Sequence, residues 1–205
     1  MSHQQQVDPT ILKKLSASVS HFHGPRKNLS YVLSVDPVVA GRRAARKDRD
    51  SCQFVTRSMN DFRNFRKSLL TRVGTYGDNK NPSAGRCKCD GVRGCPFDVT
   101  RTFLERLRFS RMPFFGIGIS DNDINNRQLE MNNFLRIIFA ILHRMHSNAW
   151  NSDCLFLQDV MNFLEVEQTF SDQIQEFLKH KGRQMNLEGW KAHTIETFGY
   201  GIRTQ

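Results

Sequence analysis

A chain of 205 residues with 39% hydrophobic and 24% charged content has the make-up of one globular domain, or at most two small ones. Its longest unbroken aliphatic or aromatic run, Ile137–Leu142, falls far short of the ~20 residues a spanning helix needs, and MSHQQQVDPT lacks the basic and apolar regions of a secretory signal. A soluble, cytoplasmic protein is therefore expected. Thirty Lys and Arg against twenty Asp and Glu leave a formal charge of +10, a surplus that either draws an anionic partner or keeps copies of the chain apart.

Residues 1–14 read as a flexible, polar lead-in. From Leu15 the pattern has period two: Leu15, Ala17, Val19 and His21 face one way, with serines between them. Gly24-Pro25 breaks this run, and Leu29, Tyr31, Leu33 and Val35 alternate in a second. Turn formers between the two predict an antiparallel hairpin. A basic connection holding Arg42, Arg43 and Arg46 leads to a third strand, CQFVTR. The period then changes. Asn60 or Asp61 is positioned to cap a helix with Phe62, Phe65, Leu69 and Val73 on one face.

Residues 74–100 are rich in glycine, proline and cysteine, and so long a loop inside a domain must be held by something or lack order. Phe103, Leu104, Leu107 and Phe109 suggest one or two helical turns. The strongest helix begins near Asp121 or Asp123. Met131, Phe134, Leu135, Ile138, Ile141, Leu142 and Met145 recur at helical spacing, while Arg127, Glu130, Asn133 and Arg136 are assigned to its polar face. Ser152 or Asp153 is expected to cap a further helix, and Ser171-Asp172 to start a last one. Strands first and helices after predict an α+β fold: a three-stranded antiparallel sheet packed against a helical subdomain.

Five cysteines without a signal peptide read as thiols or metal ligands. Cys87, Cys89 and Cys95 could supply three thiolates to zinc, with Gly91 and Gly94 letting the backbone turn round the ion. The fourth ligand must come from elsewhere: Cys52 is the first choice, with Cys154 or a histidine as alternatives. No Walker loop, dinucleotide fingerprint, nucleophile elbow or HExxH zinc motif occurs, and an enzyme is not expected.

QFVTRSMNDFRNFRKSLL resembles the strand-to-helix signature of the phox-homology (PX) domain, with Val55, Arg57, Asp61 and Phe62 in register. INNRQLEMNNFLRII resembles a later helix of that family through Arg127, Met131, Phe134 and Leu135, and FSRMP is similar to the basic loop preceding it, through Arg111. The resemblance covers about residues 15–145. It implies a PX-like domain over 15–146 carrying an inserted loop at 74–100, with 147–205 as a C-terminal helical extension.

It further implies a peripheral membrane module binding anionic, phosphoinositide-containing lipids on endosomal or similar membranes. The lipid-contacting set is then Arg127, Arg111, Arg57, Ser58, Met59 and the cations Arg42, Arg43 and Arg46. Ser58 stands where the family has the arginine that grips the 3-phosphate, and Met59 where it has an aromatic ring. A serine cannot make the paired, charge-assisted bonds of a guanidinium, so weakened 3-phosphate specificity is expected. The rival expectations are a PX-like protein-interaction module and a basic nucleic-acid-binding protein.

Overall fold

The alternation that starts at Leu15 builds an antiparallel sheet. The computed structural model describes residues 7–25, 29–39, 42, 43, 51–73, 87, 89, 95–110, 120–146, 150–181 and 183. Strands β1 (Leu15–His23), β2 (Ser30–Val39) and β4 (Gln53–Ser58) form the sheet, and a two-residue β3 (Arg42–Arg43) folds back on the end of β2. β2 is central, with Tyr31 opposite Phe22 and Arg57, and Leu33 opposite Val19 and Val55. The helices are α1 (Met59–Arg72), α2 (Arg101–Arg106), α3 (Asp121–Arg144) and α4 (Leu155–Leu164), followed by α5 at residues 168–181. The class is α+β, with a three-stranded antiparallel sheet and several helices, as expected.

One row of the sheet, Leu15, Ala17, Val19, Tyr31, Leu33, Val35 and Val55, is buried. The pairing register slips between Val19 and His21, so β1 carries a bulge at Ser20. A bulge strands backbone groups, and α3 answers them. Asn132 Oδ1 accepts from the Val19 N–H at 2.7 Å, and Gln128 Nε2 donates to the Val19 carbonyl at 3.3 Å. This fixes α3 along β1.

Both long helices begin with the same device. The Ser58 hydroxyl accepts from the Asp61 N–H at 3.2 Å while the Asp61 carboxylate accepts from the Ser58 N–H at 2.7 Å. Ser120 and Asp123 repeat it at the start of α3. Each reciprocal pair satisfies two orphan donors, and such caps contribute about 1 kcal/mol. The α1 cap is therefore Ser58, with the expected Asp61 acting three residues into the motif.

The apolar faces meet around Phe134, which is fully buried and approached by Phe62, Phe65, Phe103 and Phe109 at ring-centroid distances of 5.5–6.4 Å. Residues on either side of the expected 15–146 unit also pack into this core. Residues 9–14 leave the lead-in as a 3-10 helix capped by Asp8, because Ile11 and Leu12 are buried in this core. The C-terminal helices likewise belong to it: Phe163 of α4 stacks on Phe65 at 4.0 Å, and Phe170 and Ile174 of α5 are buried. Helix α4 is capped by Cys154 rather than Ser152 or Asp153, and α5 starts at 168. Among the described residues no helix is long and apolar enough to cross a membrane.

Candidate metal centre

Four sulfurs converge where the end of α1, the inserted loop and the start of α4 meet. The Cys87 N–H donates to the carbonyl of Arg72, the last residue of α1, at 3.3 Å. After Cys95, Pro96 opens a 3-10 turn (Pro96–Thr100) that buries Phe97. Phe97 stacks on Phe156 at 4.6 Å, which draws the loop onto the first turn of α4. There Asn151 turns the chain, its carbonyl taking the Cys154 N–H at 3.0 Å, so that Cys154 becomes the α4 N-cap.

Cys87 Sγ lies 3.3 Å from both Cys154 Sγ and Cys89 Sγ, Cys89 Sγ lies 4.0 Å from Cys95 Sγ, and all four fall within 4.8 Å of one another. Cys95 and Cys154 are buried, whereas Cys87 and Cys89 are half-buried. Among the described residues this is the one group of three or more His, Cys, Asp or Glu side chains placed to share an ion.

The surroundings favour negative charge. The Phe156 N–H, in the first turn of α4, donates to Cys87 Sγ at 3.5 Å, and the positive end of a helix stabilises a thiolate. The Arg72 guanidinium is held by the Asp159 carboxylate at 2.8 Å and lies close enough to Cys87 to feel its charge. Hydrogen bonds from Cys154 and Cys95 pull the Cys87 thiol down to about 2. The other three are pushed up: Cys89 by burial and then by Cys154, Cys95 by its bonds to Cys154 and Cys87, and Cys154 by its bond to Cys87. One thiolate forms readily and its neighbours then resist. A divalent cation held at the centre would remove that resistance and let all four ionise.

The spacing suits a single ion. Tetrahedral zinc with thiolate bonds of about 2.3 Å sets its sulfurs about 3.8 Å apart. The Cys87–Cys154, Cys87–Cys89 and Cys89–Cys95 separations of 3.3, 3.3 and 4.0 Å lie on either side of that value, and all pairs fall within 4.8 Å. The expected trio is thus brought together, and the fourth sulfur is Cys154 in place of Cys52. Cys52 precedes β4, whose Gln53 bonds the Glu165 carbonyl at the far end of α4, and a ten-residue helix is about 15 Å long.

The expected lipid-contacting residues have other occupations. Arg57 Nε donates to the Phe163 carbonyl at 2.9 Å and its Nη1 pairs with Glu165 at 2.7 Å. Its cation therefore closes the C-terminus of α4, where Glu165 takes a left-handed conformation with φ of 52°. Ser58 is the α1 cap and Met59 is buried in the core. Arg127, expected on the polar face of α3, is 3% exposed. It lies beside Tyr31, whose hydroxyl is pushed up by burial and drawn back by that guanidinium. Arg42 and Arg43 form β3, while Arg46 and Arg111 lie outside the described residues, as do most of 74–94.

A cationic group not anticipated as a unit forms between α1 and the segment that follows α2. Arg63 of α1 donates to the Ser110 carbonyl at 2.9 Å, and Arg66 to the Leu104 carbonyl at 2.8 Å. Arg66 and Arg108 both donate to the Glu105 carbonyl, and repulsion between them adds to burial in lowering the proton affinity of Arg66. Among the described residues none of these three guanidiniums is paired with a carboxylate. Their i, i+3 spacing on α1 was readable, but the partner Arg108 depends on how the chain returns after α2. Glu130, one turn beyond Arg127, is occupied by the backbone N–H and hydroxyl of Ser110. Comparison of the chain with family models, curated proteins and solved structures gives no match.

Proposed function

We propose that this chain is a zinc-braced, non-catalytic module with a PX-like fold that docks on anionic membrane surfaces, including phosphoinositide-containing ones. The zinc ion takes Cys87, Cys89, Cys95 and Cys154 as its four ligands and ties the inserted loop to α4. What supports a PX-like reading is the order of parts: a β1-β2-β4 antiparallel sheet, α1 leaving β4 directly, and a long α3 along β1.

The docking reading is carried by the Arg63, Arg66 and Arg108 cluster. It stands beside the first turns of α1, next to Ser110, where the chain enters the segment holding Arg111. With Ser58 and Met59 taken up by structure, attraction is set by summed charge more than by a fitted 3-phosphate pocket. Each cation near an anionic leaflet contributes about 1 kcal/mol. The double variant Arg66→Gln/Arg108→Gln is therefore expected to bind phosphatidylserine and phosphoinositide vesicles about 30-fold more weakly than the parent, a loss of about 2 kcal/mol.

Parent binding should also collapse between 0.1 and 1 M salt, as the screening length shrinks from about 10 to about 3 Å. Cosedimentation with vesicles of stated composition reads both effects. Tight, salt-insensitive binding selective for the 3-phosphate would contradict the reading. The rival, a PX-like protein-interaction module, draws on the conversion of Ser58 to a helix cap and Met59 to core. Zinc-loaded protein that ignores every vesicle composition would favour it, and a gel shift with nucleic acid covers the third alternative.

A further inference from the structure

The sulfur centre is built unevenly. Cys95 and Cys154 are 5% and 1% exposed, while Cys87 and Cys89 are half-buried and form its open side, 3.3 Å apart. A disulfide needs about 2.05 Å between sulfurs, so this pair has little distance to close. Resting on the zinc reading above, we propose that the centre is an oxidation-sensitive clasp, in which a hydroperoxide converts Cys87 and Cys89 to a disulfide and the zinc ion leaves.

The step balances. The Cys87 thiolate attacks the terminal peroxide oxygen, the O–O bond breaks, and hydroxide departs and is protonated to water. The resulting sulfenic acid is attacked at sulfur by the Cys89 thiolate, a second hydroxide leaves and becomes water, and the S–S bond forms. Two electrons pass from the two thiolates to the peroxide. Zinc keeps only Cys95 and Cys154, too few to complete its tetrahedron.

The consequence follows from where Cys154 sits. It is the N-cap of α4, and the other end of α4 is held by Arg57 from β4. Helix α4 thus joins the metal to the strand that runs directly into α1 and the cationic cluster. Losing the clasp frees the inserted loop from α4 and loosens one end of that strut. Oxidation is expected to weaken the fold and membrane docking together.

The test uses the full chain loaded with zinc, titrated with hydrogen peroxide in the presence of a chromophoric zinc indicator. One zinc per chain should appear in step with the loss of two thiols, peptide mapping should show Cys87 joined to Cys89, and thiol reductant with added zinc should restore the parent. Cys52→Ser, which lies outside the centre, should release zinc identically. Zinc retained at peroxide levels that consume free thiols, or a disulfide joining Cys87 to Cys154 that keeps loop and helix tied, overturns the switch alone. A chain that takes up no zinc overturns the metal reading and the switch with it.

Discussion

Removing zinc with a strong chelator is expected to lower the thermal midpoint by about 10–20 °C. Structural zinc sites contribute on the order of 10 kcal/mol in small domains, against a whole-domain stability of about 5–15 kcal/mol. Even a net loss of about 5 kcal/mol shifts a chain of this size by that amount. Cys154→Ser should reproduce the loss and, unlike the parent, gain nothing when zinc is restored. That second readout separates metal binding from the cost of a hydroxyl in a buried site. Cys52→Ser is the matched control and should leave the zinc response intact.

The pH dependence has a definite sign. Bound thiolates carry no protons, whereas unfolded cysteines, with a pKa near 8.5, remain largely protonated at neutral pH. The unfolded state therefore holds more protons, and zinc-dependent stability rises with pH and falls as the solution is acidified. A zinc increment that grows on acidification would contradict the assignment.

Phe134→Ala is expected to cost about 3–5 kcal/mol, the range for deleting a fully buried phenylalanine. The ring touches aromatic neighbours from α1 (Phe62 and Phe65), from α2 (Phe103) and from the following segment (Phe109). A cavity there is lined from several directions, and the rigid strand-to-helix frame cannot collapse to fill it. Urea unfolding should show a lower midpoint with an unchanged slope. Leu129, 60% exposed on the same helix, provides the comparison and should change by no more than about 0.5 kcal/mol as alanine. A Phe134→Ala loss as small as that of Leu129→Ala would mean the α1–α3 packing is misassigned.

The parts of the fold written in local periodicity were legible in the sequence. Leu15 to Val35 alternates, and Ile138, Leu142 and their neighbours repeat at helical spacing, so sheet and α3 follow from pattern alone. Arg127 shows the limit of residue type as a guide. It lies in the row Ile124, Arg127, Met131, Phe134, all buried, so spacing placed it inward while its charge suggested the surface. Ser58 is similar: S-x-x-D before an apolar helix is a capping signal, yet alignment to a lipid-contacting position directs attention to the missing arginine. Three of the four sulfurs were legible from their spacing in the glycine-bearing loop. The fourth was readable only as an alternative to Cys52, because Cys154 is brought to the trio by contacts between distant segments, the stacking of Phe97 on Phe156 and the Arg72–Asp159 pair among them, that no local pattern encodes.

The most direct test of the account is X-ray absorption at the zinc edge, with metal analysis, on protein purified without chelator. One zinc per chain is expected, surrounded by four sulfurs at about 2.3 Å, with Cys154→Ser reducing the sulfur shell. Protein that neither carries nor takes up zinc, or a first shell dominated by nitrogen or oxygen at about 2.0–2.1 Å, would contradict it.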